Sequence, residues 1–123
     1  LFPYTTLFRS QMIDSSLKSH LWVQAQIRIC DINCLSAVVI RRGDDDAGAV
    51  IIKIDKLANK INIFHQVRTS NGSRAWMSVR DKSDFTEEDA ANYISNCCKL
   101  DPDIWVLEIV DPRGLYEFDG EVL

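Results

Sequence analysis

Two guanidiniums followed at once by three carboxylates, with glycines on either side, form the densest polar cluster of the chain: Arg41-Arg42-Gly43-Asp44-Asp45-Asp46-Ala47-Gly48. Such a set offers two kinds of chemistry. Arg41 and Arg42 present planar donor forks that clamp an anion, while Asp44 and Asp46 carry hard oxygens suited to a divalent cation. Known motifs narrow the choice. The acids lack the alternate spacing and distal Glu of a calcium loop, and no Lys-Ser or Lys-Thr follows the glycines as it would in a phosphate-binding loop. The plainer reading is a solvated hairpin tip with neutralising charges, since such surface pairs cost little and are common. A second pair of acids, Asp101-Pro102-Asp103 before Ile104-Trp105, has the types for general acid and base work. Nothing in the sequence brings a nucleophile or a histidine to it, so bonding to turn amides is the preferred role.

The remaining reactive types are scattered. His20 and His65 stand alone, with no Ser or Cys in a recognisable nucleophile motif. Cys30 and Cys34 lie four residues apart, which raises a zinc site. Structural zinc sites bring their ligands as paired knuckles, however, and adjacent Cys97 and Cys98 would point to different faces of a helix. The cysteines are therefore read as small thiols, and no metal or other cofactor is expected. Trp22, Trp76 and Trp105 are most simply core or core-edge aromatics, with Trp22 also expected to neighbour the Arg-Asp loop. The candidate binding residues are Trp22, Arg41, Arg42, Asp44, Asp46, Asp101 and Asp103; no catalytic residue is assigned.

Elements that position these residues follow from periodicity. Residues 19–34 score both ways: Leu21, Val23, Ala25, Ile27 and Ile29 alternate as in a strand, while Trp22, Ala25, Gln26 and Ile29 sit at helical spacing. A Ser19 cap, good helix formers and a stop at Asp31-Ile32-Asn33 favour a helix over 19–32. The β-branched run 37–40, the turn chemistry at 43–46 and the run 49–54 read as a hairpin. A second hairpin joins 60–67 to 74–80 through Ser70-Asn71-Gly72-Ser73. Thr86 opens a helix over 86–99, with acids in its first turn, and Pro102 disfavours its continuation. Residues 104–110 form a nearly continuous apolar strand, suited to a central position, and a turn at 111–114 leads to a short strand at 115–118. The expectation is one α+β domain over 11–123, ordered α-β-β-β-β-α-β-β, with a mainly antiparallel sheet and two helices packed on it. Its predicted core contains Ala25, Ile29, Val39, Val50, Ile52, Ile63, Trp76, Ile94, Trp105, Leu107 and Ile109.

Composition bounds the function classes. The chain has 123 residues, 14 Lys and Arg against 18 Asp and Glu, 46% hydrophobic and 26% charged, which fits one ordinary globular domain. Apolar runs are broken by Arg28, Arg41, Lys53 or Glu108, so a membrane span is not expected. Residues 1–10, LFPYTTLFRS, resemble the in-frame translation of a short-read sequencing adapter, as in assembled environmental DNA. Their single charge, Arg9, follows the apolar residues, unlike a secretory signal. Without that Arg the chain has 13 bases against 18 acids, a formal charge of −5 rather than −4, with Met12 the expected start. This acidity speaks against a nucleic-acid binder. Four cysteines without an export signal favour reduced thiols in a cytoplasm.

Three segments taken together resemble a known family. Leu17-Lys18-Ser19-His20-Leu21-Trp22-Val23, the octet 41–48 followed by Ala49-Val50, and Asp101-Pro102-Asp103-Ile104-Trp105-Val106-Leu107-Glu108-Ile109 look like signatures of domain-of-unknown-function family 1491. The resemblance spans residues 12 to about 118. Asp31-Ile32-Asn33-Cys34 departs from it, standing where a glycine-containing helix exit is expected. The resemblance implies a small bacterial cytoplasmic α+β protein, chiefly alphaproteobacterial, and brings no activity, cofactor or catalytic residue. The leading expectation is thus a non-catalytic binding or regulatory module whose partner is a protein or a small anionic ligand. The alternative is a small enzyme acting on an anionic or phosphate-containing molecule, which requires the loop at 41–48 and the acids at 101–103 to face one pocket.

Overall fold

The computed structural model describes residues 17–80 and 83–123; the adapter-like segment 1–10 and Met12 lie outside the described residues. The elements are α1 (Ser19–Ile32), β1 (Ser36–Arg41), β2 (Val50–Asp55), β3 (Ile61–Arg68), β4 (Arg74–Ser78), α2 (Glu87–Leu100), β5 (Trp105–Val110) and β6 (Glu121–Val122). Their order is the expected one. The first segment is a helix because its helical spacing, not its strand alternation, meets the core: Trp22, Val23, Ala25, Gln26 and Cys30 are all buried. Ser19 does not cap it. Lys18 occupies that position without a side-chain bond, and Ser19 is the first helical residue. At α2, Thr86 is the cap, its oxygen accepting from the Asp89 amide, ahead of Glu87, Glu88 and Asp89 in the first turn.

The sheet runs β1-β5-β2-β3-β4-β6 among the described residues. β1 pairs with β5 antiparallel, β2 with β5 parallel, β2 with β3 and β3 with β4 antiparallel, and β4 with β6 parallel. The sheet is therefore mixed, and the first hairpin expected from the sequence does not form. β5, the most continuously apolar strand, inserts between β1 and β2, where both of its faces are covered. The second hairpin does form, as β3 and β4. The final strand is not at 115–118: Tyr116 and Phe118 pack their rings onto the α1-side core instead, and only Glu121–Val122 pairs.

Strand alternation divides the interior into two cores, one on each face. Val50, Ile52 and Ile54 of β2, with Trp76, Trp105, Leu107 and Ile109, meet α1. Ile51, Ile61, Ile63, Ile104 and Val106 meet Phe85 and the α2 residues Ala90 and Ile94. Each fully buried aliphatic or aromatic side chain contributes about 1.5–3 kcal/mol, so both helices are held chiefly by these contacts. Two expected core positions need correction. Val39 is exposed because β1 is the sheet edge, and Ile29 is only partly buried, packed against the α1-side core.

Candidate functional site

The loop from β1 to β2 must pass over the start of β5, since β5 lies between the strands it joins; it spans about 10 Å, two strand spacings. It crosses in direct contact with the turn that enters β5. The Asp44 amide donates to the Asp103 carbonyl at 2.9 Å, the Trp105 amide to the Ala49 carbonyl at 2.8 Å, and the Trp105 indole to the Asp44 carbonyl at 2.7 Å. Arg41 Nη2 donates to the Pro102 carbonyl at 2.9 Å. A Cβ on Gly43 or on Gly48 would collide with the Asp103 carbonyl oxygen and lie 2.7 or 2.9 Å from Trp105 Cδ1. The two glycines are thus required by close backbone approach.

α1 closes the other side of this corner. The amides of Ser19 and His20 donate to the carbonyls of Asp46 and Asp45 at 3.2 and 2.9 Å, and Ser19 Oγ donates to the Gly48 carbonyl at 2.6 Å. Amides at a helix start have no partner within the helix, and here the loop supplies one. Within the loop, Asp44 Oδ2 accepts from the amides of Asp46 and Ala47, while Asp101 Oδ1 accepts from the Asp103 amide. These are the turn-stabilising roles open to short carboxylates. Arg42 bonds Asp45 at 2.7 Å and lies 5.3 Å from the Trp105 ring centroid; Lys18 is 3.7 Å from Asp46.

Six of the seven predicted residues, Arg41, Arg42, Asp44, Asp46, Asp101 and Asp103, therefore meet at one corner of the molecule. Trp22 does not. It is 1% exposed, stacked 5.4 Å from Trp76, with its indole donating to Asp119 Oδ2 at 2.8 Å. The loop and the Asp101 turn face each other in direct contact, and the corner presents Lys18, Arg42, Asp45, Asp46 and Asp103 outward. A recess of about 450 Å³ flanks the loop on its far side, where Arg68 and Arg74 join Ser19, Asp46 and Gln66 in its wall. Arg74 is already committed, its Nη1 3.0 Å from Asp119 Oδ2 and its guanidinium 4.9 Å from the Trp22 centroid. Burial draws the Arg74 pKa down, with Asp119 acting against that shift.

Sequence reasoning missed two sets of side chains. Asp119 gathers Trp22, Arg74 and, through its carbonyl, Trp76 at 2.9 Å, so it ties the C-terminal segment to the core. No local pattern marks it, because its partners lie 43 to 97 residues away. The second set joins His65 of β3 to α2: His65 Nε2 is 2.8 Å from the Tyr93 hydroxyl and 4.0 Å from Cys97 Sγ. A thiol beside an imidazole is the pairing a cysteine nucleophile needs. Here burial pushes the Cys97 thiol up and the His65 ring down, and burial first, then Cys97, raises the Tyr93 hydroxyl to about 12. Both shifts favour the neutral pair over thiolate and imidazolium, and the contacts tie β3 to α2. No group of three or more His, Cys, Asp or Glu among the described residues is arranged to hold a metal.

One surface remains. Among the described residues β1 pairs with β5 on one side only, and Val38, Val39 and Ile40 are 47%, 38% and 54% exposed. Between this strand and α1 runs a groove of about 490 Å³ lined by Gln24, Ile27, Arg28, Asp31, Leu35 and Ala37.

A mixed sheet with one helix on each face, a pinned polar corner and a bare apolar edge defines a small α+β scaffold. The chain belongs to the family described as protein of unknown function (DUF1491), which it matches over residues 17–119. It is similar to the crystal structure of a DUF1491 family protein from Caulobacter crescentus CB15, with 33% identity, a TM-score of 0.77 and coverage of 87% of this chain and 99% of that one. An NMR structure of a DUF1491 family protein from the same organism aligns at 35% identity and TM-score 0.74, covering 88% and 97%. A solution structure of an A. tumefaciens protein, 23% identical with TM-score 0.66 over 77% of this chain and 86% of that one, shares the fold. No curated protein matches the chain.

Proposed function

We propose that this protein is a non-catalytic binding module of the bacterial cytoplasm, with the free edge of β1 as its docking surface and the charged corner at the end of that edge as its selectivity element. The exposed run Val38-Val39-Ile40 on a strand paired on one side carries the reading. Natural edge strands are blunted by proline, lysine or cover, because their open amides and carbonyls recruit another strand. β1 has neither proline nor lysine, its register shift lies at its end between Val39 and Arg41 and leaves Ser36–Val39 in regular pairing, and its one charge, Arg41, is turned to the Pro102 carbonyl. Lys18, Arg42, Asp45, Asp46 and Asp103 stand close by with both signs, the arrangement that selects partners by charge complementarity. Among the described residues no helix is long and apolar enough to cross a membrane, and all four cysteines are free thiols, as suits a reducing compartment.

Hydrogen exchange combined with cross-linked capture from a bacterial lysate tests this. Wild type, Val38→Lys and Arg42→Ala/Asp45→Ala are compared as baits. The expected result is that β1 amides gain protection on binding, that Val38→Lys loses the partner, and that the corner variant alters which partner is held. Identical captures from all three baits, with β1 amides unprotected, reject the edge and the corner together.

A further inference from the structure

We propose that residues 115–120 form a strap that opens as a unit while the rest of the fold stays closed, and that this opening is the gate to the buried thiol of Cys30. The segment runs over the α1-side core from the end of β5 to β6. With Gln26, Ile29 and Cys30 of α1 it walls a recess of about 520 Å³. It stands apart from the β1 edge, so the docking reading neither carries it nor falls with it.

The two ends of the strap are anchored. Asp111, 3% exposed, accepts the amides of Leu115 and Tyr116 on its two carboxylate oxygens at 2.8 Å each. At the far end Glu121–Val122 pairs with β4, and Gly120, at φ +124°, makes the bend into it so close to the Arg74 carbonyl that a Cβ would collide. Between these anchors three half-buried side chains reach inward. The Tyr116 hydroxyl donates to Gln26 Oε1 at 2.7 Å, the Phe118 ring lies 4.6 Å from that of Phe64, and Asp119 Oδ2 accepts from the Trp22 indole and from Arg74 at 2.8 and 3.0 Å. None of residues 112–123 is fully buried, whereas Ile52, Leu107 and Ile109 of the core they pack on are 0% exposed. A segment held by a few side chains that water already reaches opens at a free energy well below that of the whole fold.

Cys30 is 0% exposed and lies against the strap, near enough to Asp111 and Tyr116 for their charges to act on one another. Burial, then Asp111, pushes its thiol up to about 11, so in the closed state it is neutral and inert. Opening admits water and returns the thiol toward its ordinary range. One motion therefore uncovers the recess and switches Cys30 from unreactive to reactive. Cys34, four residues on, is exposed in the closed state and serves as an internal reference.

Timed alkylation of the full chain with N-ethylmaleimide, read at each cysteine by tandem mass spectrometry at urea concentrations below the unfolding transition, tests the strap. Cys34 is expected to label at once and Cys30 slowly, at a rate that barely changes with urea, because a local opening exposes little surface. Asp119→Ala removes the acceptor shared by Trp22 and Arg74 and is expected to speed Cys30 labelling by about tenfold or more. Tyr116→Phe keeps the ring and loses the hydroxyl bond to Gln26, for an expected gain of about fivefold. Labelling of Cys30 that rises with urea as steeply as global unfolding, in wild type and in Tyr116→Phe, overturns the strap as a separate unit. Labelling that ignores urea but is moved by neither substitution assigns the opening to α1 and overturns the strap as the gate. Should Asp119→Ala fail to fold, Tyr116→Phe decides by the same two criteria.

Discussion

The corner at the start of β5 and the free edge of β1 adjoin at Arg41, and they use side chains in opposite ways. In the corner nearly every polar group has an internal partner: Arg41 the Pro102 carbonyl, Asp44 two loop amides, Asp101 the Asp103 amide, and the Asp45 and Asp46 carbonyls the start of α1. Along the edge, three apolar side chains stand in water. The dense charge at 41–48 thus marks a place where the chain has to cross a strand, and its chemistry is spent on holding that crossing. The unremarkable run 38–40 marks the surface left over for others. Polar density in a sequence reports where a loop needs internal bonds at least as often as where a ligand sits.

The largest effect that tests this contrast is steric. Gly48→Ala would place a methyl group against the Asp103 carbonyl and 2.9 Å from Trp105 Cδ1, forcing the loop away from β5. A loss of about 3 kcal/mol is expected, read by urea denaturation, because overpacking against backbone has no side chain to yield. Val38→Lys on the edge should change stability by less than about 0.5 kcal/mol. Equal costs at the two sites would dissolve the distinction between a pinned corner and a free edge.

Below that comes a pH effect that reads neither region and so serves as their control. His65 has its pKa lowered by burial against α2. Well above pH 6.5 the ring is neutral in folded and unfolded chains alike and adds no pH dependence. As the pH falls below 6.5 the unfolded chain takes up the proton first, so stability declines until the folded ring titrates as well, and then levels off. A His65→Asn variant should lack that portion of the decline in a urea titration across pH 7 to 4. An unchanged profile would show that another group is responsible.

Much of this architecture was legible in the residues. The element order, the cap at Thr86 and the central place of residues 104–110 follow from local signals, which are short-range and additive. What could not be read was pairing. β1 and β2 looked like hairpin partners because they are neighbours in sequence with turn residues between them, and no local rule reveals that a strand more than 50 residues later fits between them. The same limit hid Asp119 and the meeting of His65 with Cys97. Six of the seven site candidates did converge, yet Trp22 went to the core, since its indole partner lies 97 residues away. The end of α1 carries a backbone cost of its own. Cys34 has φ +60°, its amide donates to the Asp31 carbonyl, and the Leu35 amide donates to the Cys30 carbonyl. This is the helix exit that glycine usually serves. Cys34→Gly is expected to stabilise the chain by about 0.5–1 kcal/mol, measured as a raised urea midpoint; a loss would mean the thiol contributes packing that outweighs the backbone strain.

The last contrast separates two acids that the sequence presents as equivalents. Asp101 and Asp103 flank the same proline, and both were expected to brace the turn through their carboxylates. In the structure only Asp101 does so, its Oδ1 accepting from the Asp103 amide at 3.1 Å. Asp103 works through its backbone, its carbonyl receiving the Asp44 amide and limiting the space at both loop glycines. Its side chain points outward among the charges of the corner. Asp101→Ala should therefore cost about 1 kcal/mol, the usual value of a lost turn bond, and Asp101→Asn should recover most of it, because an amide oxygen accepts the same donor. Asp103→Ala and Asp103→Asn should both unfold within about 0.5 kcal/mol of wild type, since neither touches the backbone carbonyl that the loop rests on. If the Asp103 variants fold as wild type but change which partner the protein captures, the charge belongs to recognition, as the outward-facing corner implies. If instead Asp103→Ala costs as much as Asp101→Ala, the carboxylate shares in pinning the loop, and the corner has one fewer side chain free to meet a partner.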